Sequence, residues 1–215
     1  MADTWSAART QFTADVESFG RLVGTREEPP DDLDDPRDNA NHLFAVRTLS
    51  LLRAVALVDW SEIAPFGSLA RSAFETTLTW RWVLSDQERG KEWGMKVAPQ
   101  LVFIAKRARL AELQGEGAVH DLARGLDSVA LERGETNLTV QRYADQVGER
   151  ETYDRCYPLL SGMAHPNPIS MRGTDMATKL AVALVVKRVL QEAANLYVTW
   201  AVRRELPPVL PPTPP

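Results

Sequence analysis

Apolar residues recur in steps of three and four along most of this chain, a spacing that predicts helices almost end to end. Trp5, Ala8, Phe12, Val16, Phe19 and Val23 mark a first stripe, from Asp3 or Thr4 as cap to Gly24 as stop. A second helix is expected from Asn39 or Asn41 to about Trp60. Leu43, Phe44, Val46, Leu49, Leu51, Leu52, Val55 and Leu57 make it apolar over most of its girth, the mark of a central helix. Pro65, Gly67 and Ser68 predict a break, followed by a third helix from about Leu69 to Leu84. Gln87 to Leu113 reads as an arm kinked near Pro99. Beyond the turn Gln114 to Gly117, helical patterns cover about Ala118 to Glu132, Val140 to Val147, Glu151 to Ala164 and, after a cap at Thr174 or Asp175, a last helix to about Arg204. No stretch alternates with period two. The expected fold is all-α, a bundle of five to seven helices with a kinked peripheral arm.

Two segments interrupt this pattern. Arg26 to Asp38 holds seven acids and two arginines and reads as a solvated linker across 24–38. Residues 207–215 hold six prolines and read as an extended polyproline tail, which a partner's aromatic groove can take. The rest, 1–206, is expected to form one helical domain. The overall charge of −4 sits in the acidic segment, whose own net is −5, so the body is near neutral. A neutral body gives no general pull toward nucleic acid or anionic lipid. The single cysteine, Cys156, fits a reducing, cytoplasmic setting, and no apolar run approaches the ~20 residues of a membrane span.

Two short signatures carry the candidate chemistry. The first is Arg71-Ser-Ala-Phe-Glu75, an i, i+4 cation–carboxylate pair beside apolar positions. It reads either as an arginine oriented for an anionic ligand or as an ion pair fixing helix register. The second is Tyr157-Pro-Leu-Leu-Ser161-Gly-Met-Ala-His165, with Tyr153 extending its polar stripe backward. Such a stripe can hold a polar ligand, or let His165 serve as a general base beside the Ser161 hydroxyl. The alternative is structural: an imidazole closing a helix C-terminus and tyrosines satisfying their own hydroxyls. Pro158 adds the expectation of a start or kink that would turn Tyr153 off the stripe. The candidate catalytic residues are therefore His165, Ser161 and Arg71, and the candidate ligand-binding set is Arg71, Glu75, Tyr153, Tyr157, Ser161 and His165.

Metal and cofactor chemistry find little support. Asn39, Gly117 and Gly162 stand three residues before His42, His120 and His165, so no Glu-x-x-His pair exists for a bundle metal site. Gly115-Glu-Gly117 lacks the lysine of a phosphate loop. No metal and no cofactor are expected. The six tryptophans read as core and helix contacts, and Trp80-Arg81-Trp82 is the one place where aromatics flank a cation as in a nucleic-acid stacking platform.

At the two signatures the sequence resembles a bacterial family of all-helical proteins of unknown function, in which an Arg-x-x-x-Glu helix is paired with a later Tyr-x-x-Leu-Ser-x-x-x-His helix. Arg71, Glu75, Tyr157, Leu160, Ser161 and His165 carry the resemblance, which covers roughly Asn39 to Arg203. That family is distantly similar to the HEPN superfamily, many of whose members are metal-independent ribonucleases of toxin and defence systems. Their hallmark is an arginine a short step before a histidine. Here Arg155 precedes His165 by ten positions, on another helical face, and Ser161 stands where that arginine would act. The resemblance implies a helical bundle without an established activity. Two expectations follow: a non-catalytic domain that binds or self-associates through a polar cluster, or a HEPN-like ribonuclease with Arg71 as phosphate donor. The expected partners are a second copy of the chain, a small anionic ligand or RNA, and a partner for the tail, but not a membrane.

Overall fold

The computed structural model describes residues 2–24, 35–94, 139–164 and 176–203. The kink at Pro99, the helix expected at 118–132, His120, His165 and the proline tail lie outside them. Among the described residues there are seven helices and no strand, as the periodicity predicts. They are α1 (Ala2–Gly24), α2 (Pro36–Leu57), α3 (Ile63–Ser85), α4 (described over 87–94), α5 (Val140–Gln146), α6 (Arg150–Ala164) and α7 (Met176–Arg203).

The start of α2 corrects the linker boundary. Asp35 accepts a bond from the Arg37 amide at 2.9 Å, and Pro36 occupies the first turn. An N-cap acceptor followed by proline, whose fixed φ suits a first turn, starts the helix before Asn39. Asp38, expected in a solvated acidic run, is buried and accepts the Trp200 indole N–H at 2.7 Å. At the far end of α2, Arg9 reaches from α1 to the terminal carbonyls of Ala56 and Leu57, at 3.1 and 3.0 Å. A cation there complements the helix dipole and meets carbonyls that no further turn can satisfy.

The second correction concerns the break expected at Pro65–Ser68. The helix α3 begins at Ile63 and runs straight through these residues. Pro65 falls in the first turn, where its missing N–H costs nothing. Gly67 is buried inside the helix for a packing reason described below.

The central helix is α3, not α2 as its apolar girth suggests. It packs against α2, α5, α6 and α7, and twelve of its residues are buried, including Phe66, Phe74, Trp80 and Trp82. On α2, Leu43, Val46 and Leu57 remain exposed. Hydroxyls on α3 stay compatible with this burial because Ser72, Thr76, Thr77 and Thr79 each donate to the carbonyl four residues back. The buried indoles are satisfied in the same way. Trp60 donates to the Val55 carbonyl at 2.8 Å, Trp80 to Asn41 at 2.9 Å and Trp82 to Gln146 at 2.5 Å. Trp60 also anchors an aromatic cluster with Trp5, Phe12 and Phe66. The core and helix-contact reading of the tryptophans therefore holds for the described ones.

Helix directions follow from pairing. Residue 9 meets 56 and residue 17 meets 53, so α1 and α2 are antiparallel. Asn41 meets Trp80, so α2 and α3 are antiparallel too. Arg81 meets Glu192, while a groove nearer the helix ends joins Ser85 to Thr199, so α3 and α7 run parallel. No described helix is long and apolar enough to cross a membrane.

Candidate functional site

Most of the predicted cluster lies on the seam between α3 and α6, which cross closely at one end. A Cβ built on Gly67 would stand 2.5 Å from the Met163 Cβ and 3.4 Å from its carbonyl carbon. Only glycine lets the two backbones approach so far. From that contact the helices run antiparallel, and facing residues follow in order: Gly67 with Met163, Arg71 with Tyr157, Arg81 with Glu149. The period of the helix sets these steps, since 71, 75, 78 and 81 share one face of α3.

Arg71 sits at the middle of the seam. Its Nε donates to Glu75 Oε1 at 2.9 Å and one terminal nitrogen donates to the Tyr157 hydroxyl at 2.7 Å. The guanidinium carbon lies 4.9 Å from the Tyr157 ring centroid. Tyr153 stacks on Tyr157 with centroids 4.6 Å apart and planes 17° from parallel. Pro158 therefore does not turn Tyr153 away: α6 is continuous through it, and the Tyr153 ring stays half-buried against the core. Arg71 and Glu75 side chains are 23% and 28% exposed, so the pair is shielded but not sealed.

The electrostatics suit a held network. Burial disfavours the Arg71 charge, yet the hydrogen bond and charge of Glu75, with the phenols of Tyr157 and Tyr153, outweigh it and raise its pKa. Tyr153 is pushed up to about 12, first by burial, then by Tyr157 and Glu75 beside it, with Arg71 opposing. The two shifts agree on one state at neutral pH, a charged guanidinium beside a neutral Tyr153 phenol.

Four of the six candidate ligand residues, Arg71, Glu75, Tyr153 and Tyr157, thus come together. Ser161 is half-buried on α6, one turn beyond Tyr157. His165 lies outside the described residues. Cys156, one residue before Tyr157, is only partly buried against the core, and burial still raises its thiol pKa.

A second network continues the seam, and its members are absent from the candidate set. Arg81 forms an ion pair with Glu149 and a two-point bond with Glu192, at 2.8 Å from Nε and 2.5 Å from a terminal nitrogen. Arg188 reaches Glu149 at 3.5 Å and the Thr152 hydroxyl at 3.1 Å. The only signal in the sequence is a lone cation within the apolar run Leu78 to Leu84; its acidic partners lie 68 and 111 residues away. With both flanking tryptophans buried, Trp80-Arg81-Trp82 presents no stacking platform.

Two grooves open along this network. One, of about 390 Å³ including space open to solvent, lies between α3, α6 and α7 over Thr77, Arg81, Glu149 and Arg188. The other, of about 740 Å³ on the same measure, follows the C-terminal halves of α3 and α7 past Ser85, Asn195, Thr199 and Arg203. Arg71, Glu75 and Tyr157 line neither. Among the described residues no group of three or more histidine, cysteine or acidic side chains is arranged to hold a metal ion.

Compared with known proteins, the chain matches no family model, no curated protein and no solved structure.

Proposed function

We propose that this chain is a non-catalytic helical interaction domain, in which Arg71, Glu75, Tyr153 and Tyr157 lock α6 onto α3. One observation carries the reading. The Arg71 guanidinium is already held, by Glu75 along its own helix and by the Tyr157 hydroxyl from the facing one. A phosphate or carboxylate that sought the same donors would have to displace a charged hydrogen bond, worth roughly 1.5–3 kcal/mol in a shielded setting. The continuation of the seam supports the same role, because Arg81 too is taken up by two carboxylates of its own chain.

The reading is tested by separating stability from turnover. Tyr157→Phe deletes one oxygen and is expected to lower unfolding free energy by about 1–2 kcal/mol in urea titrations followed by circular dichroism. Single-stranded and duplex RNA incubated with the wild-type protein is expected to stay intact. Cleavage by the wild type that disappears in Arg71→Ala or His165→Ala, with both variants still folded, would establish the ribonuclease reading in its place.

A further inference from the structure

The two grooves beside Arg81 differ in how their polar side chains are engaged. In the smaller one they are bonded within the chain. Thr77 donates to the Ala73 carbonyl, Arg81 is held by Glu149 and Glu192, and Arg188 reaches Glu149 and Thr152. A polar ligand there would have to break bonds already made. The larger groove, of about 740 Å³ with its open space, offers free donors. Asn195, Thr199 and Arg203 line it from α7, each four residues after the last, so their side chains form one row along it. All three are exposed, and among the described residues none has a side-chain hydrogen bond or ion pair. Ser85, lining the groove from α3, is already engaged, donating to the Trp82 carbonyl and accepting from Arg89.

Beside this row the lining is apolar and held in place. Leu84 and Trp200 are each 6% exposed, and Leu196 is half-buried. The Trp200 ring is fixed by its bond to Asp38 at 2.7 Å and by the Arg37 guanidinium 5.0 Å from its centroid. An apolar surface with a few polar groups converging on it is the usual make-up of a small-molecule site.

Charge narrows the ligand class. The charged residues lining the groove are Arg81, Glu192 and Arg203. Arg81 is neutralised by two carboxylates, so Arg203 is left as one cation without a counterion. One free guanidinium matches one carboxylate, with the Thr199 hydroxyl as a second donor a turn earlier. The wall from Glu192 to Arg203 runs 11 rises of ~1.5 Å, about 16 Å, which leaves room for an extended apolar body. The C-terminal carbonyls of α7 oppose an anion at this end, which keeps the affinity modest.

We infer that the groove between the C-terminal halves of α3 and α7 binds a small apolar monocarboxylate, its charge held by Arg203 and Thr199 and its body lying on Leu84, Leu196 and Trp200. The inference goes beyond the interaction-domain reading and uses a surface separate from the Arg71 lock.

Octanoate is the probe, and assigned nitrogen–proton NMR spectra of the full chain are the readout. The signals of Asn195, Thr199 and the Trp200 indole are expected to shift saturably, with a dissociation constant in the millimolar range for so small a ligand. Octanol, the same chain without the charge, is expected to bind about fivefold more weakly, as suits an exposed ion pair. Arg203→Gln is expected to weaken octanoate by about the same factor and to leave octanol unchanged. Helicity should stay that of the wild type, since Arg203 is exposed. Thr199→Trp, which places a ring in the groove, is expected to abolish the saturable shifts. Shifts that never saturate would overturn the inference, as would shifts centred on the exposed Leu180 and Leu184 of α7 instead. So would an octanoate affinity that either variant leaves unchanged. None of these outcomes touches the Arg71 lock, and RNA cleavage lost in Arg71→Ala would remove that reading without bearing on the groove.

Discussion

Replacing Gly67 by alanine is the sharpest test of the α3–α6 seam, because general helix propensity and this particular packing oppose each other there. Alanine is the better helix former by about 1 kcal/mol, so an isolated α3 would gain from the change. In the bundle the new methyl would stand 2.5 Å from the Met163 Cβ, against an ordinary contact of 3.4 Å or more. Met163 is 1% exposed, and the atoms in the way are its Cβ and backbone, not the far end of a flexible chain. The helix α6 must therefore move by about an ångström. Overpacking of that kind costs about 1–3 kcal/mol. The same displacement stretches the 2.7 Å bond from Arg71 to Tyr157 toward the limit of hydrogen bonding and loses about 1 kcal/mol more. Less the propensity gain, Gly67→Ala is expected to destabilise by about 1–3 kcal/mol. Urea unfolding followed by helical circular dichroism should show the midpoint falling at unchanged slope. The two sites should also couple, with Tyr157→Phe costing less in the Gly67→Ala background than alone. A Gly67→Ala protein as stable as wild type, or more so, would refute the close crossing and with it the register of the seam.

Two further outcomes follow from the same geometry. Trp200→Phe keeps an aromatic ring but removes the 2.7 Å bond to buried Asp38, and is expected to cost about 2 kcal/mol, read as a lower thermal midpoint. Stability should also fall as pH rises from about 10 to about 12: in that window an unfolded Tyr153 has lost its proton while the folded one, raised to about 12, still holds it, so deprotonation favours unfolding. Solvent screening at the half-buried ring reduces the effect to about 1 kcal/mol, and a Tyr153→Phe variant whose alkaline decline is as steep as the wild type's would contradict it.

The residues on which pattern and structure differ share a cause. Asp38 reads as part of a solvated linker because acids crowd around it, yet it is buried and accepts the indole N–H of Trp200, 162 residues away. Gly67 reads as a break because glycine usually is one, and only the nearness of Met163 turns it into a packing device. Arg81 stands out in the sequence for its tryptophan neighbours, when what defines it is a pair of carboxylates contributed by other parts of the chain. Arg71 and Glu75, by contrast, are partners four residues apart on one helix, and the ion pair expected from that spacing is present.

The sequence by itself determined that the described segments are helical, and which side chains four residues apart, such as Arg71 and Glu75, meet on one face. These are short-range matters, governed by 3.6 residues per turn, caps and the placing of proline. Tertiary structure alone decided which helix became the centre, which glycine allowed a close crossing, and which distant acid met which arginine. Those choices depend on matching surfaces between segments far apart in the chain, and periodicity within one segment holds no information about the shape of another.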